Sequence, residues 1–89
     1  SWTLYEEVIF DSKEIISKDW DSYKIIGFDN IPNFTTNIID KKGFAYLGVG
    51  EVVAGPTGAA ISNALCNALG QRIKIMPFTK DNITKELLN

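Results

Sequence analysis

Leu47-Gly48-Val49-Gly50-Glu51-Val52-Val53-Ala54-Gly55-Pro56-Thr57-Gly58-Ala59-Ala60-Ile61-Ser62-Asn63-Ala64-Leu65-Cys66-Asn67-Ala68-Leu69-Gly70 reads as a glycine-rich loop that runs into a helix. Gly48, Gly50 and Gly55 allow the backbone positive φ or a close approach to another group, and Pro56 pre-sets φ at a first helical position. A helix is therefore expected over 56–69, closed by Gly70 as its left-handed cap. From Val52 to Gln71 there is not one charged side chain, and Glu51 is the last charge before that run. A free surface helix carries charge on its wet face, because the apolar stripe covers only about 100° of the cylinder. Here Ile61, Leu65, Ala68 and Leu69 form one apolar side, while Ser62, Asn63 and Asn67 with small Ala59, Ala60, Ala64 and Cys66 make up the rest. A chain this short buries only about 60–65% of its unfolded surface and cannot enclose a helix on all sides. The helix is expected to pack against material outside these 89 residues.

Composition narrows the possible partners. A net charge of −2 with scattered basic residues lacks the footprint of a nucleic-acid or anionic-membrane binder. The single cysteine, Cys66, rules out an intrachain disulfide, and on a helix such a thiol reads as a small hydrophobe. With no histidine and one cysteine, a zinc site made by this chain alone is not expected. The first residues mix Trp2, Tyr5, Glu6 and Glu7 with apolar neighbours and do not read as a signal peptide, and Pro56, glycines and asparagines keep 52–71 from being a transmembrane span. These features suggest a cytoplasmic location. The start on Ser1 suggests a fragment, one domain over 1–89 cut from something larger.

Along the chain, Leu4, Tyr5, Val8, Ile9 and Phe10 suggest a strand near 3–10, followed by a turn at Asp11-Ser12-Lys13 and a returning Ile15-Ile16. Trp20, Tyr23 and Phe28 are spaced among acidic residues in what reads as an ordered loop docked by its aromatic side chains. Ile31-Pro32 marks an extended stop. Phe34 to Ile39 alternates as a strand, and Asp40-Lys41-Lys42-Gly43 supplies a turn. Ile73 and Ile75 face one way and Arg72 and Lys74 the other, the period of a strand near 72–76 ended by Pro77. Thr79 caps a short helix near 80–88 with Ile83 and Leu87 as its apolar pair. The expected fold class is α+β: a small mixed domain with strands near 3–10, 34–39 and 72–76 and helices near 56–69 and 80–88.

Read on spacing alone, the loop before the helix has three readings. Glycine-rich loops at helix N-termini hold anions, yet no Gly-Lys-Ser/Thr ending or full Gly-x-Gly-x-x-Gly is present. Glu51 could be a working carboxylate whose apolar surroundings raise its pKa. Or Glu51 merely favours the helix dipole while the glycines make a tight turn. Asn63 and Asn67, one turn apart, are expected to find hydrogen-bond partners on a neighbouring backbone or subunit.

An ordered set of motifs resembles a known family. Leu47-Gly48-Val49-Gly50-Glu51, the Gly55-Pro56-Thr57 helix start, Ala59-Ala60-Ile61-Ser62-Asn63-Ala64, Leu69-Gly70-Gln71-Arg72-Ile73 and Met76-Pro77-Phe78-Thr79 are similar to the C-terminal end of the large molybdopterin-binding subunit of molybdenum hydroxylases, the xanthine dehydrogenase and aldehyde oxidase family. Leu4-Tyr5-Glu6-Glu7-Val8, Tyr23-Lys24-Ile25 and Asp29-Asn30-Ile31-Pro32 resemble the preceding segments, so the likeness covers nearly the whole chain. It implies an oxidoreductase that hydroxylates a carbon of an aldehyde or N-heterocycle. Glu51 matches the family's general base beside the molybdenum, which acts on a metal-bound hydroxyl. Gly48, Val49, Gly50 and Glu51 match its cofactor-binding loop, with no direct metal ligand here. Val52-Val53 stand where many members have two prolines, a departure that leaves the substrate unassigned.

The resemblance further implies molybdopterin in the complete enzyme and none bound by the isolated chain, which would be inactive. The implied partners are the remainder of the subunit, iron–sulfur and FAD subunits and a small-molecule substrate. The competing expectation, from the uncharged helix alone, is a stand-alone protein-interaction module in which Glu51 is only a helix-end charge. On either view the free chain is expected to expose an apolar patch and to dimerise or bind a companion.

Overall fold

The computed structural model describes all residues, Ser1 to Asn89. Its regular structure is helical: a 3-10 turn at Phe28–Asn30, helix α1 at Ala54–Leu69 and helix α2 at Lys80–Leu87. The α+β expectation is overturned, since none of the three anticipated strands forms and only an isolated antiparallel bridge joins Phe10 to Ile15.

Each missing strand has a local reason. Near 3–10, the N–H groups of Leu4 and Tyr5 both turn back to the Ser1 carbonyl, so the chain begins as a helical turn. Only its end extends, where Asp11 Oδ1 accepts from the N–H groups of Lys13 and Glu14 and closes the anticipated turn. Ile9 and Ile16 then face each other through the Ile16 N–H to Ile9 carbonyl bond of 2.7 Å. Residues 34–39 have strand-forming side chains but no second strand within reach, and two-stranded pairings are marginal even when complete. At 72–76 the ladder positions are taken by side chains: Glu86 accepts from the Lys74 N–H, and the Ser62 hydroxyl donates to the Ile73 carbonyl at 3.3 Å.

Local signals at chain breaks hold. Gly70 adopts φ 72° and its N–H returns to the Cys66 carbonyl, closing α1. Thr79 Oγ1 accepts from the Asn82 N–H at 3.2 Å, capping α2. Gly43 takes φ 86° in the turn that joins the Phe44 N–H to the Lys41 carbonyl. Helix α1 begins two residues before the expected 56, which places Pro56 third in the helix. The proline fits there because N–H groups of a first turn have no intrahelical partner.

What core exists lies in the segment between α1 and α2, which each helix reaches by a side-chain bond, Ser62 of α1 donating to the Ile73 carbonyl and Glu86 of α2 accepting from the Lys74 N–H. Ile73 is 1% exposed and Phe78 7%, and Pro77, after a cis peptide bond, is buried beside them. The inner face of α1 is Gly58, Ile61, Ser62, Leu65 and Cys66, all half-buried. Gly58 faces Met76, and a Cβ there would meet the sulfur at 3.5 Å, an ordinary van der Waals contact. The N-terminal turn is tied to this centre by the Phe78 N–H to Thr3 carbonyl bond of 2.7 Å. Tyr23 reaches Glu6, but Trp20 at 77% and Phe28 at 94% exposure do not dock the 18–32 loop as expected.

The rest of the chain is open. The Cα radius of gyration is 16.9 Å, against about 12 Å for a compact domain of this length. The accessible surface is 8051 Å², whereas a compact monomer of this mass exposes about 5,200 Å².

Candidate functional site

The loop from Ala45 to Val53 enters α1 as an exposed bend. None of its N–H groups donates to a backbone or side-chain acceptor in the chain, the first bond at the helix start being Ala54 N–H to the Glu51 carbonyl at 3.1 Å. Val53, the residue before α1, is already in the helical region and provides no side-chain cap. With Val52 and Val53 in place of a Ser, Thr or Asp, no side chain caps the first turn; the Ala54 and Thr57 N–H groups bond the Glu51 and Val53 carbonyls, and that of Gly55 stays open.

Gly48, Val49, Gly50 and Glu51 therefore sit together on one exposed stretch. No atom lies within 4 Å of a Cβ built on Gly48 or Gly50, and neither takes a positive φ. The expectation that these glycines serve a close approach is not met by anything inside this chain. The space they leave is open to a group from outside. Glu51 is exposed and its carboxylate has no hydrogen-bond or ion-pair partner in the chain, so the apolar enclosure expected around it is not provided by these residues.

A cleft of about 380 Å³ lies at the start of α1, between Trp2 and Thr3 on one side and Val53, Ala54, Thr57 and Met76 on the other. Glu51 does not line it. A shallower groove of about 420 Å³ runs between the inner face of α1 and residues 72–78. Neither holds a carboxylate. No group of three or more His, Cys, Asp or Glu side chains is disposed to hold a metal, and no helix is long and apolar enough to cross a membrane.

Free N–H donors, no Cβ at positions 48 and 50 and an unpaired carboxylate at 51 leave this stretch with open hydrogen-bonding groups on one exposed surface. The outer face of α1 is equally open. Ala60, Asn63, Ala64 and Asn67 are all exposed, and the two amides make no hydrogen bond within the chain.

Two features went unanticipated on spacing. Glu86 on α2 closes the region after α1, its carboxylate taking the Lys74 N–H and its carbonyl taking Gln71 Nε2 at 3.0 Å. Ser62 joins α1 to the same region, accepting from Arg72 Nη1 at 3.1 Å while donating to Ile73. No one-dimensional period marks such contacts, because each partner is more than nine residues away.

Comparison with known proteins agrees with the motif resemblance. Over 87 residues, 98% of the chain, it is 31% identical to a nicotinate dehydrogenase subunit of Pseudomonas putida. Over 91 aligned positions, 96% of the chain, it is 26% identical to the xanthine dehydrogenase molybdenum-binding subunit of Escherichia coli. The chain spans only 7% and 12% of the length of these two relatives. No protein-family model matches the chain, and no solved structure does. Homologues over nearly its whole length are thus subunits of nicotinate and xanthine dehydrogenases.

Proposed function

We propose that this chain is a part of the molybdenum-cofactor-binding subunit of a hydroxylating dehydrogenase, and that Glu51 is its general base. The observation that carries the reading is the similarity over 98% of the chain to a dehydrogenase subunit, with Glu51 placed in an open loop free of partners. The molybdenum cofactor, held chiefly by other segments, would supply the two-electron redox chemistry. The chain's own task is to present N–H donors from Gly48 to Gly50 and to accept a proton at the Glu51 carboxylate. The glycines remove the Cβ atoms that would keep such a group at a distance. The substrate is an electron-poor carbon of an aldehyde or N-heterocycle, and the electrons leave through iron–sulfur and flavin partners.

Glu51→Gln in the complete, cofactor-replete enzyme keeps the shape and hydrogen-bonding reach while removing proton acceptance. Metal reduction by saturating substrate should slow by about 10²–10⁴-fold with cofactor content unchanged. Glu51→Asp should fall between, because a shortened carboxylate keeps its basicity but loses its geometry. Reduction at the wild-type rate in Glu51→Gln would remove the catalytic role, and loss of the cofactor would make the residue structural. A native chain that occurs alone at 9.9 kDa would favour the interaction-module reading instead.

A further inference from the structure

Resting on the reading that this chain is part of a larger subunit, we propose that residues 33–49 are a docking arm. In this proposal Phe34, Ile38, Phe44, Tyr46 and Leu47 anchor the chain to the remainder of that subunit, and this docking holds the Glu51 loop in place.

Every residue from Gly27 to Thr57 is exposed, and the arm is apolar. Phe34 is 77% exposed, Ile38 85% and Tyr46 97%, with Ile39, Phe44, Leu47 and Val49 similar. Among residues 32–53 a single N–H, that of Phe44, donates to a backbone carbonyl. A segment that stays solvated by design is poor in aromatic and branched side chains, and this one is rich in them. Exposed apolar patches on monomers rarely exceed a few hundred Å².

The area identifies the occupant. The chain exposes about 2,800 Å² more than a compact monomer of its mass, well above the roughly 800 Å² that each partner gives to an interface of standard size. A second copy would offer the same open arm and, to receive it, only clefts of about 380 and 420 Å³, too small to enclose residues 33–49. By contrast, more than nine-tenths of the nicotinate dehydrogenase subunit lies outside the match. Surface on that scale can enclose the arm. The arm runs directly into Gly48-Val49-Gly50-Glu51, a loop that nothing inside the chain fixes. Burying Tyr46 and Leu47 would therefore immobilise the backbone that carries the carboxylate.

The test is hydrogen exchange read by mass spectrometry on the assembled enzyme and on the free chain. Peptides covering 33–49 should exchange at least about a hundredfold more slowly in the assembly. Phe44→Ser with Leu47→Ser should restore fast exchange of 33–49 in the assembled enzyme while the helical circular dichroism of the free chain is unchanged, because the arm touches neither α1 nor α2 through a hydrogen bond. Free exchange of 33–49 in the assembled enzyme overturns the proposal, and so does equal protection in a free chain that sediments as a dimer. The two readings fail separately. Protection with full activity in Glu51→Gln leaves the docking and removes the catalytic role, and free exchange in an enzyme that Glu51→Gln disables does the reverse.

Discussion

The Tyr23 hydroxyl donates to Glu6 Oε2 at 2.7 Å across 17 positions of sequence, and this bond holds the 18–26 loop to the N-terminal turn. The Ser1 hydroxyl, which also accepts from the Ile26 N–H at 2.8 Å, and the Tyr23 hydroxyl together lower the Glu6 pKa, Ser1 having the larger effect. The same bond raises the pKa of Tyr23, because losing its proton would set a phenolate beside a carboxylate.

The signs give a window for this contact. A lowered carboxylate contributes stability above its ordinary pKa and loses it as pH falls through the folded value. A raised phenol contributes below its ordinary pKa, and that contribution is lost as pH rises through the folded value. Docking of the loop should be firmest between about pH 5 and pH 9. In an ultraviolet titration of phenolate absorbance, Tyr23→Phe should remove the most alkaline component. If that component stays, the bond does not persist in solution.

Thr79→Ala should destabilise α2 by about 0.5–2 kcal/mol, because it deletes the oxygen that takes the Asn82 N–H. Hydrogen exchange at the start of α2 should speed up correspondingly, and Thr79→Ser should restore most of the protection. Asn82 Nδ2 also donates to the Pro77 carbonyl at 2.9 Å, so the loss should reach the buried Pro77-Phe78 turn.

Gly70→Ala should cost about 1–2 kcal/mol in the protection of the last turn of α1. The cost is conformational, since no atom lies within 4 Å of the added Cβ while φ is 72°. Gly70→Asn should cost less, because asparagine tolerates the left-handed region better than alanine. Equal losses in the two variants would point to contact rather than backbone strain.

Ile73→Ala should cost about 2–5 kcal/mol, the range for emptying a fully buried site. Ile75→Ala should cost less than half of that, since Ile75 is 40% exposed. Exchange protection across α1 and α2 is the measurement. Equal effects would mean that the two isoleucines share one buried face after all.

Features that depend on neighbours a few residues away were legible in the sequence: the Gly70 and Thr79 caps, the Asp11 and Gly43 turns, and α1 and α2 to within two residues at their starts. Each is decided by one residue's φ preference or one side-chain oxygen within reach of its own backbone. So was the open character of α1, which follows from an uncharged run in a chain too short to enclose it. Tertiary structure alone decided the strands. Alternation at 34–39 and 72–76 states which side chains would share a face, but a strand exists only when another backbone meets its N–H and C=O groups. At 72–76 those groups went to Ser62 and Glu86, and at 34–39 no backbone in this chain meets them. The candidate site divides the same way: the order of Gly48, Val49, Gly50 and Glu51 was plain from the start, while the fold put them on an open surface because the core formed at Ile73 and Phe78 instead.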